Sequence, residues 1–128
     1  MVKTRIVLFL ALLAASLLIS GTAFAHHSMS MYDRSHDSTF KATITEFNWS
    51  NPHSQIIFTA ADDHGNIVKW MAECPGPNRL ANHGWSKDSL KPGDKITITG
   101  APSKDGQKYM GVGKLIGPDG KALGAEGE

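Results

Sequence analysis

The chain has 128 residues, with 13 Lys and Arg against 12 Asp and Glu, a formal charge of +1, and a single cysteine. That balance excludes the basic stripe of a nucleic-acid binder and the acidic tail that would meet a cationic partner. The lone Cys74 excludes an internal disulfide, and the length supports one small domain with one modest core.

The chain opens on Lys3 and Arg5, followed by fifteen uncharged residues from Ile6 to Ser20 and then Ala23-Phe24-Ala25. A basic start, a short apolar run and an A-x-A site predict a signal peptide over 1–25, cut after Ala25. Fifteen apolar residues fall short of the ~20 that a spanning helix needs, so no membrane span is expected after cleavage. The exported chain is then His26 to Glu128, periplasmic or secreted. Losing Lys3 and Arg5 leaves eleven bases against twelve acids, near −1.

Residues 26–38 read as an N-terminal arm, and 39–124 as the folded domain. The stretch TFKATITEFNW (39–49) places Phe40, Ala42 and Ile44 on one face. Phe47 and Trp49 then fall out of phase, and such a slip predicts a bulge or bend that lets one strand serve two sheets. SQIIFTA (54–60) follows through the turn Ser50-Asn51-Pro52-His53. NIVKWMAEC (66–74) alternates Val68, Trp70, Ala72 and Cys74 against Lys69, Met71 and Glu73, after a hairpin turn at Asp62–Gly65.

The pattern then changes. PGPNRLANHGW (75–85) predicts a short helix over 78–83, with Asn78 as its cap and Gly84 as its stop. SKDSLKPGD (86–94) reads as a single helical turn and a tight Pro-Gly turn. KITITG (95–100) and YMGVGKLI (109–116) are strands, GPDGKAL leads into a short edge strand, and 125–128 is a frayed tail. The expected class is all-β with small helical content: an OB-like Greek-key β-barrel of five to six short strands, with one short helix between strands three and four. Periodicity alone leaves an open β-sandwich as the alternative.

Several motifs occur together: a leader followed by A-H-H-S (25–28), E-F-x-W-x-N-P-H (46–53), W-x-x-E (70–73), P-N-x-L-x-x-x-G-W (77–85) and S-L-K-P-G-D (89–94). In this combination the chain resembles a family of small exported bacterial proteins, a domain of unknown function, over nearly all of its mature length. The resemblance implies a periplasmic location and a small β-barrel, and it implies no activity. Members of the family usually carry a small residue near Cys74 and Pro75. The Cys74 thiol is therefore not expected to serve a shared function, and reads as a small buried side chain at a strand end.

No pattern supports catalysis. There is no G-x-S-x-G elbow and no H-E-x-x-H helix, and Ser28 has neither an oriented base nor an oxyanion hole. Aromatic residues suit base stacking on an OB barrel, but the charge for nucleic acid is missing. The chemistry that stands out is nitrogen ligation. Cleavage after Ala25 makes His26 the new terminus, where its α-amine and ring form a chelate. A further imidazole from His27 or His53 completes three nitrogens in the array that favours Cu(II). His53 sits in a turn whose backbone Pro52 restrains. Glu73 or Asp33 could add an oxygen, and Met29 and Met31 are soft donors for Cu(I). His36, His64 and His83 read as exposed loop or helix-end residues.

The sequence therefore points to an exported binding or accessory protein, not an enzyme. Copper is its expected cofactor, and His26, His27, His53 and Glu73 are the candidate metal residues. The alternative is a metal-free module holding a small ligand or a protein partner in a barrel cleft around Trp49 and Trp85, two residues that otherwise read as barrel-end packing.

Overall fold

The computed structural model describes residues 29–124. The leader over 1–25, the His26-His27 pair and the tail over 125–128 lie outside the described residues. A short 3-10 turn (Met29–Met31) precedes six strands: β1 (Ser38–Asn48), β2 (Ser54–Ala61), β3 (Ile67–Cys74), β4 (Lys95–Pro102), β5 (Tyr109–Ile116) and β6 (Ala122–Gly124). One helix, α1 (Pro77–Asn82), stands between β3 and β4.

Hydrogen bonding runs in the order β3-β2-β1-β4-β5-β6, and a parallel β3–β5 pairing closes the first five strands into a ring. The closed ring, the Greek-key order and the single short helix are those of an OB-like barrel, with β6 outside the ring. The open-sandwich alternative fails because β3 and β5 meet: Met71 pairs with Tyr109, Ala72 with Met110 and Glu73 with Gly111.

β1 makes closure possible. Its first half pairs with β4 from Ser38 to Thr43, and its second half pairs with β2 from Ala42 to Asn48. The register shifts between Ile44 and Glu46, where the sequence slips phase. At that bend the tight Pro-Gly turn docks on the strand. Gly93 N–H donates to the Ile44 carbonyl at 2.8 Å, and Ile44 N–H donates to the Asp94 carbonyl at 2.9 Å. Gly93 has φ +92°, a conformation that glycine adopts without a Cβ penalty. Inward positions of all five ring strands supply the core: Ala42, Ile44, Ile56, Phe58, Ala60, Ala72, Cys74, Ile96, Ile98, Met110 and Leu115.

The helix begins one residue earlier than its sequence suggests. Gly76, not Asn78, is the N-cap, and Pro77 occupies the first turn. Proline fits there because its φ is preset and its missing N–H would have had no partner. A Cβ on residue 76 would lie 2.6 Å from the Pro52 carbonyl oxygen, so the cap must be bare. At the other end Gly84 N–H bonds to the Ala81 carbonyl and Trp85 N–H to the Leu80 carbonyl. This left-handed glycine stop turns Trp85 back beside Leu80 in the core. Residues 86–89 form an isolated turn instead of a helical one, with Ser89 N–H bonded to the Ser86 carbonyl.

Candidate functional site

Three segments far apart in sequence meet outside the seam that closes the barrel. The first is the β1–β2 turn, which ends in His53 immediately before β2. The close approach of Gly76 to the Pro52 carbonyl seats this turn against the start of α1. The second is the end of β3, where Glu73 stands between inward Ala72 and Cys74 and so points outward. The third is the segment 31–33, which runs beside the end of β4. Asp33 N–H donates to the Pro102 carbonyl at 2.8 Å, Lys104 N–H donates to the Met31 carbonyl at 3.0 Å, and Tyr32 bridges Ser103.

Tyr32 reaches the seam because β5 offers it a flat seat. Across from Glu73 stands Gly111, where a Cβ would meet the Tyr32 ring at 3.3 Å. The ring lies on this bare backbone with Tyr109 packed edge-on at 6.1 Å, and it is buried.

Glu73 joins the three segments. Its Oε2 accepts a 2.7 Å hydrogen bond from the Tyr32 hydroxyl, and its Oε1 pairs with Nδ1 of His53. Burial, then the hydrogen bond to Glu73, pushes the Tyr32 hydroxyl well above the usual tyrosine range, so this phenol stays protonated and donates. An ionised carboxylate accepts only, so Nδ1 of His53 carries a proton, and in the neutral ring Nε2 keeps its lone pair. The His53 side chain is 42% exposed and that of Glu73 23%, so the ring is reachable while its orienting carboxylate is partly shielded. An imidazole held in this way is a preset nitrogen donor for a metal ion or an acceptor for a ligand's N–H.

Among the described residues no group of three His, Cys, Asp or Glu gathers to hold a metal ion. His53 and Glu73, both expected on sequence grounds, do come together, while His26 and His27 lie outside the described residues. Asp33 is engaged locally, accepting from Ser35 N–H at 3.0 Å and pairing with His36 at 3.3 Å. His36, His64 and His83 are exposed, and Nδ1 of His83 lies 2.8 Å from the Arg79 carbonyl. Cys74 is buried, and its thiol is pushed up to about 12 by desolvation and then by the charge of Glu73, which suits a packing residue.

The two tryptophans take packing roles. Trp85 is buried against Phe47, and its Nε1–H donates to the Gly124 carbonyl at 3.1 Å, tying β6 to the helical end. Trp49 is half-buried and packs edge-on against Phe47 at 5.9 Å. Sequence reasoning passed over Tyr32 and Gly111. Their only signal is the pairing of an aromatic arm residue with a glycine inside a strand, and neither points to the other along the chain.

No described helix is long and apolar enough to cross a membrane. The model of a family of unknown function, DUF6152, matches residues 14–112, a span that contains Tyr32, His53, Glu73 and Gly111. No curated protein and no solved structure matches the chain.

Proposed function

We propose a role for this chain, which belongs to the family of unknown function DUF6152: an exported, periplasmic binding or accessory protein that holds copper through imidazole nitrogen. The observation that supports this reading is the pairing of Glu73 with Nδ1 of His53, which fixes the ring and leaves Nε2 as a donor. Metal-bound histidines typically give their other N–H to a carboxylate in this manner. Glu73 then orients a ligand, a different task from the direct oxygen ligation its sequence position suggests.

The remaining donors are proposed from sequence: the α-amine and ring of His26 and the ring of His27, freed by cleavage after Ala25. His27 stands five residues before Tyr32, and five residues span at most about 18 Å of extended chain. Nitrogen donors of this kind favour Cu(II) over the other divalent first-row ions. The test is the intact mass and metal content of the chain isolated from the periplasm. A mass beginning at His26 with about one copper per chain is the expected result; an uncut mass, or a processed chain that takes up no copper when offered it, contradicts the reading.

A further inference from the structure

The strand alternation that buries Ala42, Ile96 and Ile98 sends a different set of residues outward on β1, β4 and β5. Lys41 stands opposite Thr97, and Thr43 opposite Lys95. Thr39 opposes Thr99, which in turn opposes Lys114. Lysine and threonine thus share a three-stranded face, and no Asp or Glu occurs within 39–43, 95–99 or 114–116. The carboxylates nearest in sequence are Asp37, Glu46, Asp94 and Asp119: Asp94 accepts from Lys91 N–H at 2.9 Å and Asp119 from Lys121 N–H at 3.0 Å, while exposed Asp37 and Glu46 lie beyond the two ends of 39–43.

Among the described residues none of Lys41, Lys95 and Lys114 forms an ion pair. Lys95 Nζ donates to Thr43 Oγ1 at 2.7 Å, which holds its ammonium against the face. An open groove of about 490 Å³ runs between Lys41 and Lys95, bounded by Thr43, Thr97 and Ile116. On a chain whose exported form carries almost no net charge, three uncompensated cations on one face are a marked asymmetry.

Strand spacing and register spread the backbone positions of the three lysines over roughly 8–14 Å. They do not converge on a point, and the buried polar atom without a partner among the described residues, Ser54 Oγ, belongs to β2. A single small anion would find no enclosed set of donors here. An extended array of anions, matched to an open cationic face, is the complementary partner. We propose that the outer β1–β4–β5 face docks on an anionic phospholipid surface. This docking is independent of the copper reading, because none of its residues touches His53, Glu73 or Tyr32.

The test is partitioning of the processed chain onto vesicles of phosphatidylglycerol mixed with phosphatidylcholine, against vesicles of phosphatidylcholine alone, at low and high salt. Binding is expected only to the anionic vesicles and only at low salt. The triple variant Lys41→Gln, Lys95→Gln, Lys114→Gln should lose about a hundredfold in partitioning, at roughly a tenfold or smaller step per lysine. The control Lys69→Gln, Lys87→Gln removes two exposed lysines elsewhere and should partition like the parent. Inorganic phosphate at constant ionic strength should not compete. The proposal is overturned if the parent chain ignores anionic vesicles, if control and triple variant fall equally, or if phosphate displaces the protein and so marks a small-anion site. Circular dichroism of both variants checks that surface changes have left the fold intact.

Discussion

Tyr32 donates a 2.7 Å hydrogen bond to Glu73 across 41 positions of sequence, on the outside of the β3–β5 seam. The same carboxylate holds His53, so one acidic side chain fastens the entering segment and aims the imidazole. A neutral donor on a partly shielded carboxylate contributes about 1.5–3 kcal/mol. Tyr32→Phe keeps the ring on Gly111 and removes only the hydroxyl. It should lower unfolding free energy by that amount in a urea titration, and an unchanged midpoint would show that the bond carries no stability.

Two glycines next to the seam differ in how much a methyl group costs. At Gly100, beside the register shift of β4 and β5, a Cβ would sit 2.0 Å from the Gly111 carbonyl oxygen. At Gly111 it would meet the Tyr32 ring at 3.3 Å. Backbone cannot yield as a ring can, so Gly100→Ala should destabilise by at least ~3 kcal/mol and Gly111→Ala by about 1 kcal/mol. Thermal melts that rank the two the other way would contradict the packing described for Tyr32.

Cys74 titrates in the fold at about 12, raised from an ordinary 9.0 by burial. Because the folded value lies above the unfolded one, the contribution is full below pH 9 and is lost as pH rises from about 9 toward 12. Tyr32 adds a loss of the same sign from about pH 10 upward, where the unfolded phenol ionises and the folded one does not. The folded chain at pH 8 should therefore resist thiol reagents that label it at once in urea, and Cys74→Ala should flatten the first part of the alkaline decline. Cys74→Ser should cost at most ~1–2 kcal/mol and leave copper uptake unchanged. Rapid labelling of the native chain would place the thiol at the surface.

Glu73→Gln tests whether the Glu73 carboxylate takes part in binding. The amide keeps the shape but loses the charge that holds the proton on Nδ1 of His53. Outer carboxylates of this type are worth 10–100-fold in metal affinity. We expect a loss in that range for Cu(II) measured by chelator competition. An affinity equal to that of the parent would mean that the Glu73–His53 pair has no part in binding.

The barrel was legible because its signals are local. Alternating runs announce the strands, the slip between Ile44 and Phe47 announces the bend, and Gly84 and Pro92-Gly93 announce the turns. The helix cap was misplaced because the demand on Gly76 comes from the Pro52 carbonyl, a contact made only in the folded chain. His53 and Glu73 could be nominated separately by residue type, and register explains why they meet: Gln55 pairs with Glu73, two positions beyond His53. Tyr32 had no such cue. Its partner is 41 residues away and its seat is defined by what Gly111 lacks.

The claim that nitrogen ligands gather on the exported chain is tested most directly by a Cu(II) competition titration at neutral pH. It compares the chain beginning at His26, the same chain with one residue added ahead of His26, and His53→Ala. The added residue moves the α-amine off its chelate and leaves every imidazole in place. Both changes should weaken Cu(II) binding at least tenfold, and the parent's affinity should fade below about pH 6 as imidazoles of reference pKa ~6.5 take up protons. Equal affinities for all three chains would contradict the account.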